Sequence, residues 1–289
     1  MKKKIIIASL LVLSLSVVTY ILFGRERPAP IPMKEELYEG VTYRRVVRYF
    51  PNAMIAHVIT IDTKTKGIQF LVTPADSKSE TPLNARTTSQ FLDEFGVQIA
   101  INGDGFSPWW SRGPADYYPH VGDPVMPLGF AASKGDDYSQ GVELSVGEKP
   151  TLYISRRNAF AFNDKPNRVF NAISGDRMLV LQGQPVPDLD DSELDPRTAI
   201  GLNKNGRYLY IVVVDGRQPF YSAGITFADL ANLLVDQRAY IAMSLDGGGS
   251  STLVMGGETG EPVLMNFPID NYIPGRERPV ANHFGVVIP

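Results

Sequence analysis

Short runs rich in Val, Ile and Tyr recur along the chain and predict strands. They fall at residues 41–49, 55–61, 68–72, 97–101, 178–181, 208–214, 240–245, 251–255 and 284–288. The run Tyr210-Ile211-Val212-Val213-Val214 has no polar position, which predicts a strand buried on both faces. Helical spacing is rarer. From Thr87 to Phe95, Thr87 and Gln90 stand at capping-box spacing, Phe91, Leu92 and Phe95 share a face, and Gly96 is a stop. From Thr226 to Ala239, Thr226 and Asp229 frame the start, and Phe227, Leu230, Leu233 and Leu234 form an apolar stripe. Each helix leads through a strand to a glycine-rich turn, Asn102-Gly103-Asp104-Gly105 or Asp246-Gly247-Gly248-Gly249. This order predicts two pseudo-repeated halves whose turns face one site. The fold class expected is α+β, with mostly antiparallel mixed sheets and a few flanking helices.

The N-terminus breaks the pattern. Lys2-Lys3-Lys4 precede an apolar run from Ile5 to Phe23, nineteen residues long, which suffices to cross a bilayer. The lysines should stay in the cytoplasm. Residues 1–24 are therefore expected to be a signal anchor, making the protein single-pass with its domain outside the cytoplasm; secretion after signal cleavage is the alternative. Residues 25–37, with Pro28, Pro30 and Pro32, read as a stiff linker, and residues 38–289 as one catalytic domain.

Charge and composition then narrow the chemistry. The chain has 28 basic and 31 acidic residues; the first 28 residues hold five of the former and one of the latter, leaving a net charge of −7 for the rest. That balance argues against nucleic acid as a partner. Zero Cys excludes disulfides, thiol catalysis and Cys-ligated metal. The three histidines, His57, His120 and His283, show no metal-site spacing. An oxygen-ligated Ca²⁺ or Mg²⁺ on Asp104, Asp215 or Asp246 stays an alternative, but no cofactor is required.

The strongest local signal is Ser244-Leu245-Asp246-Gly247-Gly248-Gly249-Ser250-Ser251-Thr252. A carboxylate, three bare backbone positions and several hydroxyls within nine residues suit a polyhydroxylated or phosphorylated ligand. Asp215 ends its own strand in the same way, and two carboxylates at neighbouring strand ends are what glycosyl transfer needs. A plain Asp-Gly turn accounts for either one alone. Arg197 and Arg278, each leading into a strand, offer guanidinium forks for a phosphate. Trp109 and Trp110 lie in a long loop from Ser107 to Pro127; they either stack on sugar rings or pin that loop to the body.

Taken in order, these segments resemble the phosphodiester glycosidase family. The resemblance rests on Ile101-Asn102-Gly103-Asp104-Gly105-Phe106, Pro196-Arg197-Thr198-Ala199-Ile200-Gly201, Val214-Asp215-Gly216-Arg217 and Ser222-x-Gly224-Ile225-Thr226. Leu245-Asp246-Gly247-Gly248-Gly249-Ser250-Ser251 is its most specific element, and Asn266 with Pro268 and Arg278-Pro279-Val280-Ala281-Asn282 complete it. Asp104 departs from the family pattern, and the loop from Trp109 to His120 is peculiar to this branch. The resemblance implies hydrolysis of a sugar-1-phosphodiester to free sugar and phosphomonoester. It implies Asp246 or Asp215 as nucleophile or base, and Arg197 and Arg278 stabilising the departing phosphate. Asn102, Gly103, Gly247, Gly248, Gly249, Ser250, Ser251, Trp109, Trp110 and Asn282 would bind a glycan or sugar-phosphate substrate. Two other readings compete: a non-catalytic phosphoglycan-binding module at the cell surface, and a metal-dependent phosphodiesterase.

Overall fold

The structure is a computed structural model that describes residues 9–15, 27–140 and 149–289. Residues 9–15 are helical and exposed; the rest of the expected anchor lies outside the described residues. Among the described residues, no helix is long and apolar enough to cross a membrane.

Two antiparallel sheets form the body. The larger has eight strands, in the spatial order Met33–Tyr38, Val41–Arg48, Met54–Asp62, Tyr208–Val214, Arg197–Leu202, Ile241–Ser244, Arg177–Leu181 and Gln184–Pro185. The second has five, in the order Pro262–Leu264, Leu253–Gly256, Ile99–Asn102, His283–Val287 and Gln69–Val72. Side chains alternate along each strand, so each strand feeds two cores. Ile59, Ile61, Ile211, Val213 and Met243 of the large sheet pack against Ile99, Ile101, Phe284 and Val286 of the small one. Their neighbours point outward. Val58, Val212, Ala199 and Ala242 meet Leu230 and Leu234 of helix Phe227–Asp236, while Leu71, Ala100 and Val254 meet Phe91 and Leu92 of helix Thr88–Phe95. The layers run helix, sheet, sheet, helix. This explains why the central strands read as unbroken apolar runs. A third sheet, built on Phe130–Ser133, Asn171–Ser174 and Thr151–Ile154, adds Leu152, Ile154 and Ile173 to the central core.

The helix signals act as expected. Thr87 accepts from the Gln90 amide while the Gln90 side chain accepts from the Thr87 amide, and Gly96 closes the helix at φ 62°. Thr226 accepts from the Asp229 amide. The strand Met33–Tyr38 corrects the linker expected over residues 25–37: it pairs with Val41–Arg48 at the edge of the large sheet. Exposed on most of its length, it has no apolar alternation to betray it.

Register places the strand ends that matter together. Arg48, Met54, Val214, Arg197, Ser244 and Arg177 mark one end of the large sheet. Val72, His283, Asn102 and Leu253 mark the neighbouring end of the small one. The two glycine turns meet there, where the Asp246 amide donates to the Gly103 carbonyl at 2.9 Å.

Candidate active site

A cleft of about 420 Å³ opens at this shared end, large enough for a sugar phosphate. Asp246, Arg197, Arg217, Arg278, Lys149 and Trp109 line it, with Gly247, Gly248 and Gly249 as its floor. The glycines are there for the arginines. A Cβ on Gly247 would lie 3.0 Å from the Pro196 carbonyl and 3.6 Å from Arg197 Cδ. One on Gly248 would lie 3.2 Å from the Arg217 guanidinium, and one on Gly249 only 2.4 Å from Arg278 Nη2. Gly248 also sits at φ 59°, a conformation glycine adopts without penalty. The run therefore lets three arginines line the same cleft as Asp246, with Arg278 and Lys149 the cations that act on its carboxylate.

Each cation is held differently. Arg278 donates through Nε to Asp270 at 2.8 Å and through Nη1 to Ser250 Oγ at 3.3 Å, beneath the Trp109 ring at 5.0 Å. Arg217 makes a two-pronged pair with Asp195, at 2.7 and 2.9 Å. Arg197 lies 3.8 Å from the centre of the Phe227 ring, and Arg177 lies 4.2 Å from the same ring. The Arg197 Nε is buried and has no protein partner. An orphaned buried donor is costly, and the Arg197 Nη2 turns instead to the Glu193 carbonyl at 3.4 Å.

The carboxylates are tuned by burial. Desolvation raises the Asp246 carboxyl above the usual range, opposed by Ser250, by Arg278 and by the Gly247 amide at 3.0 Å. Asp104 lies beneath it, fully buried, bonded to Lys149 Nζ at 3.3 Å and to the Gly129 amide at 2.5 Å. Burial pushes its carboxyl up to about 6, against Lys149 and Gly129 and with the help of the Asp246 charge. Among the described residues, no group of three or more His, Asp or Glu is placed to hold a metal.

Asp215 does not line this cleft. It is buried behind it, accepting from His57 Nε2 at 3.1 Å, Asn266 Nδ2 at 3.1 Å and the Phe267 amide at 2.8 Å. Its oxygens are occupied, which corrects its pairing with Asp246. Asn102 is likewise a brace: its Nδ2 donates to the Asp246 carbonyl at 2.7 Å, and its Oδ1 accepts from Thr198 and the Thr252 amide. Asn282 holds the Asp104 amide through Oδ1 at 2.9 Å and packs against Gly103. Ser250 and Ser251 are buried, Ser250 on Arg278 and Ser251 through its carbonyl on Asn266. Trp110 stacks on Tyr118 outside the cleft in a small hairpin, Trp110–Gly113 with Asp116–Tyr118. That hairpin is tied down by Arg276, which reaches the Pro114 carbonyl and the Tyr117 ring.

Sequence reading missed Lys149, Arg217, Asp176 and Asp195 as cleft residues. Arg217 immediately follows Asp215-Gly216, and Asp195 immediately precedes Pro196-Arg197, so both adjoin residues that the sequence singles out. Lys149 carries no local signal at all.

The profile of the phosphodiester glycosidase family matches residues 95–287. The chain belongs to that family. Its fold is shared with the zebrafish N-acetylglucosamine-1-phosphodiester alpha-N-acetylglucosaminidase catalytic domain auto-inhibited by its pro-peptide, at TM-score 0.61 and 19% identity over 91% of this chain and 86% of that one. A hypothetical protein from Synechocystis aligns at TM-score 0.58 and 16% identity, over 89% of this chain and 64% of that one. In sequence, an SPbeta prophage-derived uncharacterized protein YomE of Bacillus subtilis (strain 168) is 36% identical over 94 residues, which is 32% of this chain. The chain matches only 13% of that relative's length.

Proposed function

We propose that the chain hydrolyses the glycosyl C–O bond of sugar-1-phosphodiesters in extracytoplasmic glycans or glycopolymers, and that the run Ile5–Phe23 anchors it in the cell membrane. The observation that carries the reading is the seating of Arg197, Arg217 and Arg278 against the three consecutive glycines that follow Asp246, in the cleft that Asp246 lines. A phosphate leaving group has a second pKa of about 6, so it departs with little protonation. The catalytic demand is then to stabilise negative charge as the anomeric C–O bond breaks. Three guanidiniums and Lys149 meet that demand. Asp246 attends to the anomeric carbon, as nucleophile or as the base that activates water, and desolvation strengthens it in either role. These residues carry the reaction without a cofactor.

The test uses a glycosyl phosphodiester in ¹⁸O-water. Label in the free sugar, with turnover reduced on the order of 10²–10⁴-fold in Asp246→Asn, is the expected result. Label in the phosphate makes the protein a phosphodiesterase cutting P–O, and binding without turnover in the unaltered protein makes it a binding module.

A further inference from the structure

The chain that leads into the domain is bound at the cleft end. Arg27 lies over the rings of Tyr221 and Phe267, 5.4 and 5.7 Å from their centres. Tyr221 donates its hydroxyl proton to the Pro28 carbonyl at 3.0 Å, Arg45 donates to Ala29 at 2.9 Å, and Tyr49 to Pro30 at 2.7 Å. Tyr221 belongs to the loop that carries Arg217 into the cleft, and Phe267 shares its amide with Asp215 behind it. Arg27 is thereby fixed beside the cleft.

Covalent reach turns this into an orientation. Phe23 closes the apolar run four residues before Arg27, and four residues span at most about 14 Å. A domain of this size has a radius of gyration of about 18 Å and is thus about 45 Å across. With Ile5–Phe23 in a bilayer, the anchoring proposed above and the reading on which this inference rests, the cleft end stays at the membrane surface. The opposite end is out of reach.

The side chains at that end fit a lipid surface. Phe220, fully exposed at φ 63°, and Tyr272, 84% exposed at φ 62°, both hold left-handed backbone. That conformation is disfavoured for a residue with a Cβ, and such strain concentrates where function needs it. Both lie on segments that hold cleft arginines. Phe220 lies three residues beyond Arg217, and Tyr272 tips the hairpin whose Asp270 holds Arg278. Tyr49 and Phe50 are exposed in the turn beside them, where the Ala223 amide bonds to Ala53. Aromatic rings of this kind partition into the headgroup layer of a bilayer.

We propose that the cleft opens onto the membrane, with Phe220, Tyr272, Tyr49 and Phe50 seated in the headgroup layer, and that its substrate is a sugar joined through a phosphodiester to a membrane lipid. Water adds its oxygen to the anomeric carbon as the bond to the phosphate oxygen breaks. The sugar leaves, and the lipid keeps a phosphomonoester that takes up or releases the water proton according to pH.

The absence of native Cys allows clean single-site labelling. The full chain, carrying an environment-sensitive fluorophore at Leu13→Cys, Phe220→Cys, Tyr272→Cys or Asn205→Cys, is placed in phosphatidylethanolamine–phosphatidylglycerol vesicles containing nitroxide lipid. Quenching is expected at 13, 220 and 272 and not at 205, in the turn at the opposite end of the large sheet. Quenching at 13 without quenching at 220 and 272 overturns the orientation and leaves the anchor standing. No quenching at 13 removes the anchor, and the orientation with it. Turnover separates the substrate claim. Phe220→Ser with Tyr272→Ser should slow hydrolysis of a vesicle-borne glycosyl phospholipid about tenfold, equivalent to about 1.4 kcal/mol, and leave a soluble short-chain analogue unaffected. Equal loss on both substrates overturns the proposal in favour of rings that grip the glycan. No turnover of the soluble analogue by the unaltered protein is a failure of the glycosidase reading instead.

Discussion

Asp215 and Asp246 look alike in sequence, each at a strand end before glycine, yet the fold gives them opposite surroundings. Asp246 lines the cleft together with Arg197, Arg217 and Arg278. Asp215 satisfies a histidine, an amide side chain and a backbone N–H in the protein interior. The partners that decide this are His57, Asn266 and Phe267, remote in the chain, so no local pattern could tell the two aspartates apart. Removing one member of a buried hydrogen-bonded charged network costs about 3–5 kcal/mol. Asp215→Ala should therefore lower the urea midpoint sharply, whereas Asp246→Asn should leave it near that of the unaltered protein while lowering turnover on the order of 10²–10⁴-fold. A stable Asp215→Ala protein that has lost activity would return Asp215 to the catalytic machinery.

The glycine turn shows what was and was not legible at the level of elements. Its composition announced a close approach; a capping box and the Gly96 stop announced one helix, and the Thr226 start with its apolar stripe announced the other. What approaches the glycines was not legible, because Arg217 and Arg278 arrive from segments that meet only in the fold. Gly249 illustrates the consequence. A methyl group there would stand 2.7 Å from Arg278 Cζ and 3.0 Å from Asp270 Oδ1. Arg278 cannot swing aside without losing Asp270, Ser250 and the Trp109 ring together. A displacement near 1 Å at a positioned catalytic group costs about 10²-fold. Gly249→Ala should accordingly keep its circular dichroism spectrum and lose turnover on that order. A fully active variant would show that Arg278 does not act in the reaction. The segment bearing Arg278 is moored to helix Thr88–Phe95 in turn. Glu277 accepts from the Ser89 amide and hydroxyl at 2.9 and 2.5 Å, with carboxylate at a helix N-terminus. Glu277→Ala should cost about 1–3 kcal/mol of stability, read by urea unfolding.

Across the whole molecule, two titratable groups of the small sheet, His283 on its strand and Asp104 in the turn after the neighbouring strand, are buried at the shared end and oppose one another in pH. His283, stacked on Phe91 at 4.8 Å and bonded to Thr73, is driven down to about 3, by burial first and the Arg86 charge second. The unfolded chain binds its proton below about 6.5, so the stability from His283 is complete above that pH and is lost as pH falls toward 3. Asp104 acts in reverse. Its folded value of about 6 exceeds the ordinary 3.8, so its contribution is complete below 3.8 and is lost as pH rises through 6. At 1.36 kcal/mol per pH unit, the full spans are about 5 kcal/mol for His283 and about 3 kcal/mol for Asp104. Between pH 4 and 6.5 the two slopes are of similar size and opposite sign, and they nearly cancel. Each variant should unmask the other's slope. Relative to the unaltered protein, Asp104→Asn should gain stability by about 3 kcal/mol as pH rises from 4 to 6.5. His283→Gln should lose stability by a similar amount over the same range. Urea unfolding at half-unit pH steps measures both. Parallel profiles for Asp104→Asn and the unaltered protein would mean that Asp104 keeps an ordinary carboxylate's titration, and that burial beneath the cleft does not govern it.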